Sequence, residues 1–227
     1  MPAKNSIKEF IADSYYHIYN RGVEKRRIFV DEQDHGVFLK YLGEYLTPKD
    51  EAYLRDVLTD FHSSPKQKAD AAKMLKLNNF SDTVTLLAYC QMPNHFHLLV
   101  KQTVATSIDS LMNSFSTRYS MYFNKRYKRV GHLFQGTYKA VLVKTEAQLL
   151  HLTRYIHKNP ASKGVPLQSY PHSSYKNYLN MVTTGWVKPN EILNHFAKTG
   201  YNSYREFVES NIDYDSQDFV KELILDE

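Results

Sequence analysis

The sequence predicts an α+β sandwich: an antiparallel sheet with helices on one face, followed by a mainly helical C-terminal extension. Three observations carry this expectation. Strand-like and helix-like segments follow one another as βαββαβα, the two middle strands meet at a turn-forming Pro93-Asn94 dipeptide, and the helices do not interleave with strands as regular parallel βαβ units require.

Residues 15–20 (YYHIYN) are tyrosine-rich and bounded by Asp13-Ser14 and Arg21-Gly22, which reads as a strand. Between Asp31 and Leu46, Val37, Phe38, Tyr41, Leu42 and Tyr45 recur at helical spacing. Residues 47–80 turn polar and Lys-rich, with the character of a helical and looped insertion. Residues 83–92 and 95–101 form the two arms of the Pro93-Asn94 hairpin. Ile108, Leu111, Met112, Phe115, Tyr119 and Tyr122 mark the apolar stripe of a helix from Thr106 to Tyr127, broken by GHLFQG at 131–136. Residues 138–143 read as a strand, and Thr145-Glu146-Ala147-Gln148 is a capping box opening a helix that ends at Asn159-Pro160. Residues 1–178 are thus one domain with 47–80 inserted, and 179–227 are an extension with an acidic tail.

Composition narrows the function classes. With 42% apolar and 23% charged residues, 8 glycines and 8 prolines, the 227-residue chain can bury a core and is neither disordered nor collagen-like. No uncharged apolar run approaches the roughly 20 residues of a membrane span, and the start, MPAKNSIKEF, lacks a secretory apolar stretch, so a cytoplasmic address and no membrane partner are expected. The lone Cys90 reads as a small buried hydrophobe. Charge is segregated: residues 201–227 carry −6, and the preceding 200 carry +11. Residues 118–158 hold nine bases against one acid, Glu146, interleaved with tyrosine and phenylalanine, a pattern suited to a polyanion with stackable bases.

Two local patterns could carry chemistry. His95 and His97 stand at i and i+2 of a strand, which places both imidazoles on one face about 7 Å apart at the backbone, able to converge on one cation. On the late helix Leu149, Leu152, Thr153 and Ile156 define the buried arc, with Tyr155 and Asn159 about 40° apart on its flank. A phenol and an amide four residues apart can attack a substrate and complete a metal site; they can equally be a boundary tyrosine and a helix-capping asparagine. Tyr119 and Tyr122 read as core, and His157 should face away from Tyr155. There is no Gly-rich phosphate loop, paired-Cys zinc spacing or serine nucleophile elbow.

The strand MPNHFHLLV, the stretch YFNKRYKRVGHLFQGTYKA, the helix RYIHKNPASKG and the N-terminal YHIYNRGVEKRRIFVDEQD together resemble the single-tyrosine HUH transposases, in particular the REP-associated tyrosine transposases among the IS200-like enzymes. The resemblance spans residues 14–178. It implies a ferredoxin-like core, a divalent metal held by His95, His97 and Asn159, and Tyr155 as the catalytic nucleophile. The implied reaction nicks single-stranded DNA near a hairpin through a 5′-phosphotyrosine link and rejoins it. Imidazole and amide donors suit manganese, cobalt or zinc; the resemblance implies Mg²⁺ or Mn²⁺, which is the cofactor expected here.

The DNA-contacting residues expected from the basic, aromatic region are Arg118, Arg126, Tyr127, Lys128, Arg129, His132, Phe134 and Lys139, with Arg154 and Lys158 as backbone-phosphate contacts at most. The partner is single-stranded DNA carrying a hairpin, and the protein is a monomer or a homodimer. Two other readings stay open: a DNA- or RNA-hairpin binder that kept the fold without covalent chemistry, and a metal phosphodiesterase that activates water. The acidic tail suits a cover for the basic cleft.

Overall fold

The computed structural model describes residues 8–196 and 200–210. Its elements are β1 (Ser14–Arg21), α1 (Glu32–Leu46), α2 (Glu51–Thr59), α3 (Pro65–Lys76), β2 (Val84–Met92), β3 (His95–Gln102), α4 (Ser107–Arg126), β4 (Lys139–Val143), α5 (Glu146–Lys158), α6 (Tyr175–Tyr178), α7 (Asn190–Leu193) and α8 (Gly200–Glu209). The strands form one antiparallel sheet in the order β2-β3-β1-β4. The expected βαββαβα order is present, and α2 and α3 fall within residues 47–80.

Alternation along the strands sends two sets of side chains to opposite faces. Ile18, Phe96, Leu98, Val100 and Ala140 pack with Phe38 and Leu42 of α1 and Leu111, Phe115 and Tyr119 of α4. Leu99, Cys90, Met92 and Val143 pack with Leu149, Leu152 and Ile156 of α5 and with Tyr175, Tyr178, Ile192, Tyr204 and Val208. The sheet core therefore carries α1 and α4 on one face, as expected, and a second layer built from α5 and the C-terminal elements on the other. Tyr204 and Val208 are fully buried, so α8 is a working part of this second layer. The acidic tail beyond Ser210 lies outside the described residues.

Local chemistry sets the element ends. Asp31 caps α1 by accepting from the backbone N–H groups of Gln33 and Asp34. Thr145 caps α5 by accepting from Gln148 N (3.1 Å), while the Gln148 side-chain Oε1 accepts one residue further back than a simple box, from Lys144 N (2.8 Å). After β1 the chain turns sharply through Gly22, where an added Cβ would lie 2.2 Å from the carbonyl oxygen of Arg26. Glu24 and Lys25 follow in the left-handed region (φ 56° and 55°). Backbone hydrogen bonds from Gly22 to Asn94 O and from Ile28 and Phe29 to Pro93 O hold this segment on the hairpin turn.

α5 is fastened by C-terminal groups. His157, fully buried, faces away from Tyr155 as expected and bonds through Nδ1 to Tyr204 Oη (2.7 Å) and through Nε2 to Ser174 Oγ (2.8 Å). Arg154 donates to the carbonyls of Phe207 and Ser210 (2.7 and 2.9 Å). Elsewhere the ring of His35 stacks between Phe29 and His172. Burial depresses the His157 imidazole to about 3, and burial with the neighbouring His172 depresses His35 to about 4. The unfolded chain, whose histidines titrate near 6.5, then binds more protons as the pH falls, so stability is present above about pH 6.5 and is lost on the way down, to about pH 4 for His35 and about pH 3 for His157. Thermal melts across that window should show a falling Tm, with a loss on the order of a few kcal/mol at the acid end; a flat Tm would contradict the buried neutral histidines.

Among the described residues no helix is long and apolar enough to cross a membrane. Cys90 is fully buried and burial pushes its thiol well above the ordinary range, in keeping with a core role.

Candidate functional site

On the second sheet face, β1 and β3 lie side by side with Tyr19 opposite His97 and Arg21 opposite His95. The two histidines of β3 project on the side covered by α5, their rings 5.0 Å apart and nearly perpendicular. The last turn of α5 brings Tyr155 and Asn159 over them. The half-buried Tyr155 ring stands edge-on to His97 at 5.4 Å between centroids. The Asn159 carboxamide spans both histidines, with Oδ1 3.3 Å from His95 Nε2 and Nδ2 3.4 Å from His97 Nε2. Residues 60 positions apart in sequence thus converge within one chain, and Asn159 combines its position at the end of α5 with a place among the imidazoles.

The polarity of the rings can be read from their partners. His95 Nδ1 lies 2.7 Å from Asn94 Oδ1, an acceptor, so this nitrogen donates. In the neutral ring Nε2 then presents a lone pair towards Asn159 Oδ1, a second acceptor. Facing acceptors 3.3 Å apart are what a cation needs: bonds of about 2.1 Å put neighbouring donor atoms roughly 3.0–3.4 Å apart. His97 is fully buried, and burial, then His95 and His17, hold its imidazole well below the ordinary range, so it stays neutral. Among the described residues no cluster of three or more His, Cys, Asp or Glu is set to hold a metal. Two imidazoles and one amide are the donor set that fits here, and they fit a divalent ion.

The expected DNA-contacting residues divide. Lys128 and His132 are exposed. Arg129 is half-buried, with Asn124 Oδ1 at 2.7 Å from its guanidinium. Lys139 is half-buried, with burial and Lys8 disfavouring its charge. Lys158 is half-buried at the end of α5.

Five others are committed to the protein itself. Arg118 pairs with Glu44 (2.5 Å) and lies over the Tyr41 ring at 3.7 Å, tying α4 to α1. Arg126 bridges Asp31 and Asp34 (2.6 Å each), and Tyr127 donates to Asp34 (2.8 Å). Phe134 is buried edge-on against Phe96 as core. Arg154 is 5% exposed and occupied by C-terminal carbonyls. These contacts have one lesson: counting charges and rings along a segment does not reveal which of them a neighbouring element claims.

Two features escaped the sequence reading. Arg21, at the end of β1, stands opposite His95, and the loop that follows with Lys25, Arg26 and Arg27 is held by its backbone on the hairpin turn that starts the histidine strand. The strand residue His17 sits against His97. The density of bases in YNRGVEKRRIF could have flagged the loop; nothing in the pattern YYHIYN distinguishes His17 from its neighbours.

The chain is a four-stranded antiparallel α+β domain with a His-x-His strand facing a tyrosine-bearing helix. Residues 62–159, which include β2 to α5, match the family model described as Transposase IS200 like. No curated protein matches the chain. It is similar to a solved REP-associated tyrosine transposase bound to a REP hairpin (11% identity over 80% of this chain and 95% of that one, TM-score 0.45). It is also similar to a candidate transposase from Deinococcus radiodurans (16% identity over 69% and 95%, TM-score 0.27). A third likeness is to tRNA(His) guanylyltransferase from Saccharomyces cerevisiae (11% identity over 92% and 84%, TM-score 0.32).

Proposed function

We propose that this protein is a metal-dependent single-strand DNA nicking and joining enzyme of DNA transposition, acting beside hairpins. The observation that carries the reading is the convergence of Tyr155, His95, His97 and Asn159 at one place. Tyr155 is the nucleophile: its phenolic oxygen attacks a backbone phosphorus, the bond from phosphorus to the 3′-oxygen breaks, and that oxygen leaves with a proton as a 3′-hydroxyl. The chain then holds the DNA by a 5′-phosphotyrosine ester, and a 3′-hydroxyl attacking the same phosphorus rejoins a strand and frees the tyrosine.

A phenol with a pKa near 10 is a weak nucleophile at neutral pH. Positioning and electrostatics must therefore supply most of the help. His95, His97 and Asn159 would hold Mg²⁺ or Mn²⁺, which supplies charge stabilisation to a phosphate oxygen. α5 orients the phenol by being packed along its inner face, and the Arg21–Arg27 loop offers cations to the flanking phosphates, as Lys128 and His132 do further out. In this reading one chain completes the site, with Tyr155 beside the histidines it serves.

The test is incubation with hairpin-bearing single-stranded DNA from sequence flanking the gene, plus Mn²⁺, followed by denaturing electrophoresis. A 3′-labelled strand should appear as a slow protein–DNA adduct, and a 5′-labelled strand should yield only a shortened free product. Cleavage without attachment would replace tyrosine by water as the nucleophile. Binding with neither, across all flanking hairpins tried, would leave a hairpin-binding protein.

A further inference from the structure

We propose that His17 is a positioning residue that sets the tautomer of His97, turning its Nε2 lone pair into the site. The two residues come from neighbouring strands, and both are fully buried. Their rings are stacked at 5.1 Å with 20° between planes, and His17 Nε2 lies 2.9 Å from His97 Nδ1. One of these nitrogens must donate and the other accept.

A neutral imidazole has one N–H, so the choice made at Nδ1 decides what Nε2 can do. If His97 Nδ1 donates to His17, Nε2 is left as a lone pair. If His17 donates instead, His97 Nε2 carries the proton and cannot bind a cation. The other contacts of His97 select the first arrangement. The Asn159 amide nitrogen, a donor, faces His97 Nε2 at 3.4 Å and calls for a lone pair there.

The same arrangement appears at the second ring by other means. Asn94 accepts from His95 Nδ1 and leaves His95 Nε2 towards the Asn159 carbonyl oxygen. Each histidine of the pair therefore has its own orienting partner: an adjacent amide for the half-buried ring and a cross-strand imidazole for the buried one. Partners of this kind commonly change metal affinity by about 10- to 100-fold when removed. His17 cannot reach the cation position through the nitrogen it shares with His97, which separates its role from that of a ligand.

The inference rests on the metal-dependent reading, and its test has two arms that fail separately. In the metal-free wild-type protein, ¹⁵N–¹H correlation spectra of the histidine side chains should show His97 protonated at Nδ1. His17→Leu, of similar size without an acceptor, should lose that single tautomer. His17→Gln, whose side-chain oxygen reaches about as far as His Nε2, should restore it. In the second arm Mn²⁺ binding without DNA, followed by electron paramagnetic resonance, should weaken about 10- to 100-fold in His17→Leu and recover most of its strength in His17→Gln. Melts of each variant report whether the fold is kept.

A wild-type His97 protonated at Nε2 would overturn the proposal whatever the metal does. So would a folded His17→Leu protein that binds Mn²⁺ as tightly as wild type. A wild-type protein with the expected tautomer that binds no divalent ion would instead remove the metal reading and leave the orienting role of His17 in place.

Discussion

Tyr155→Phe is expected to abolish the protein–DNA adduct and the nick together while leaving hairpin affinity within about twofold of wild type, a loss of at least roughly 10³-fold in rate. The substitution removes one oxygen from a half-buried ring and leaves the edge-on packing against His97 at 5.4 Å intact. The fold should be indifferent to it, because Leu149, Leu152 and Ile156 carry the burial of α5. Gel-shift measurements with labelled hairpin DNA and adduct assays on the same preparation check both halves. A variant that still nicks would show that the oxygen attacking phosphorus is not that of Tyr155.

Asp34→Ala should be the most damaging single substitution outside the site, costing about 3 kcal/mol and lowering Tm by roughly 6–12 °C. The Asp34 carboxylate has no exposure and takes hydrogen bonds from Tyr122, Tyr127, Arg126 and the backbone N–H of Val30, at 2.6 to 2.9 Å. Removing it leaves a half-buried guanidinium and two phenols without that acceptor, and unpaired polar groups are the costly kind. Asp31 still pairs with Arg126, which keeps the loss below that of a fully isolated buried charge. Asp34→Asn should fall between. Chemical denaturation of the three proteins decides the matter, and an unchanged midpoint for the alanine variant would show that this cluster does not hold α4 to the start of α1.

What could be read from sequence follows the range of the physics involved. Strand alternation places His95 and His97 on one face, and helical periodicity places Tyr155 and Asn159 on one flank, because both periods act within five residues. The hairpin and the cap at Thr145 are equally local. The fate of Arg154 depends on carbonyls more than 50 residues further along, and that of Arg126 on an aspartate 92 residues earlier. No local pattern carries that information, so a guanidinium destined for a carbonyl looks the same in sequence as one destined for a phosphate. His17 is hidden for a related reason: its significance lies in the strand beside it, and only the register of β1 against β3 supplies the neighbour.

The fastening of α5 by Tyr204, Ser174 and the carbonyls at Phe207 and Ser210 has a genetic consequence. On the proposed reading, in which α5 completes the site of its own chain, each copy of the protein works alone. Two alleles disabled at different places, one lacking the phenol and one lacking a histidine, would not complement each other when expressed together. Inactive copies would then act on their neighbours only by occupying the same hairpins, as competitors for DNA and never as donors of a missing part.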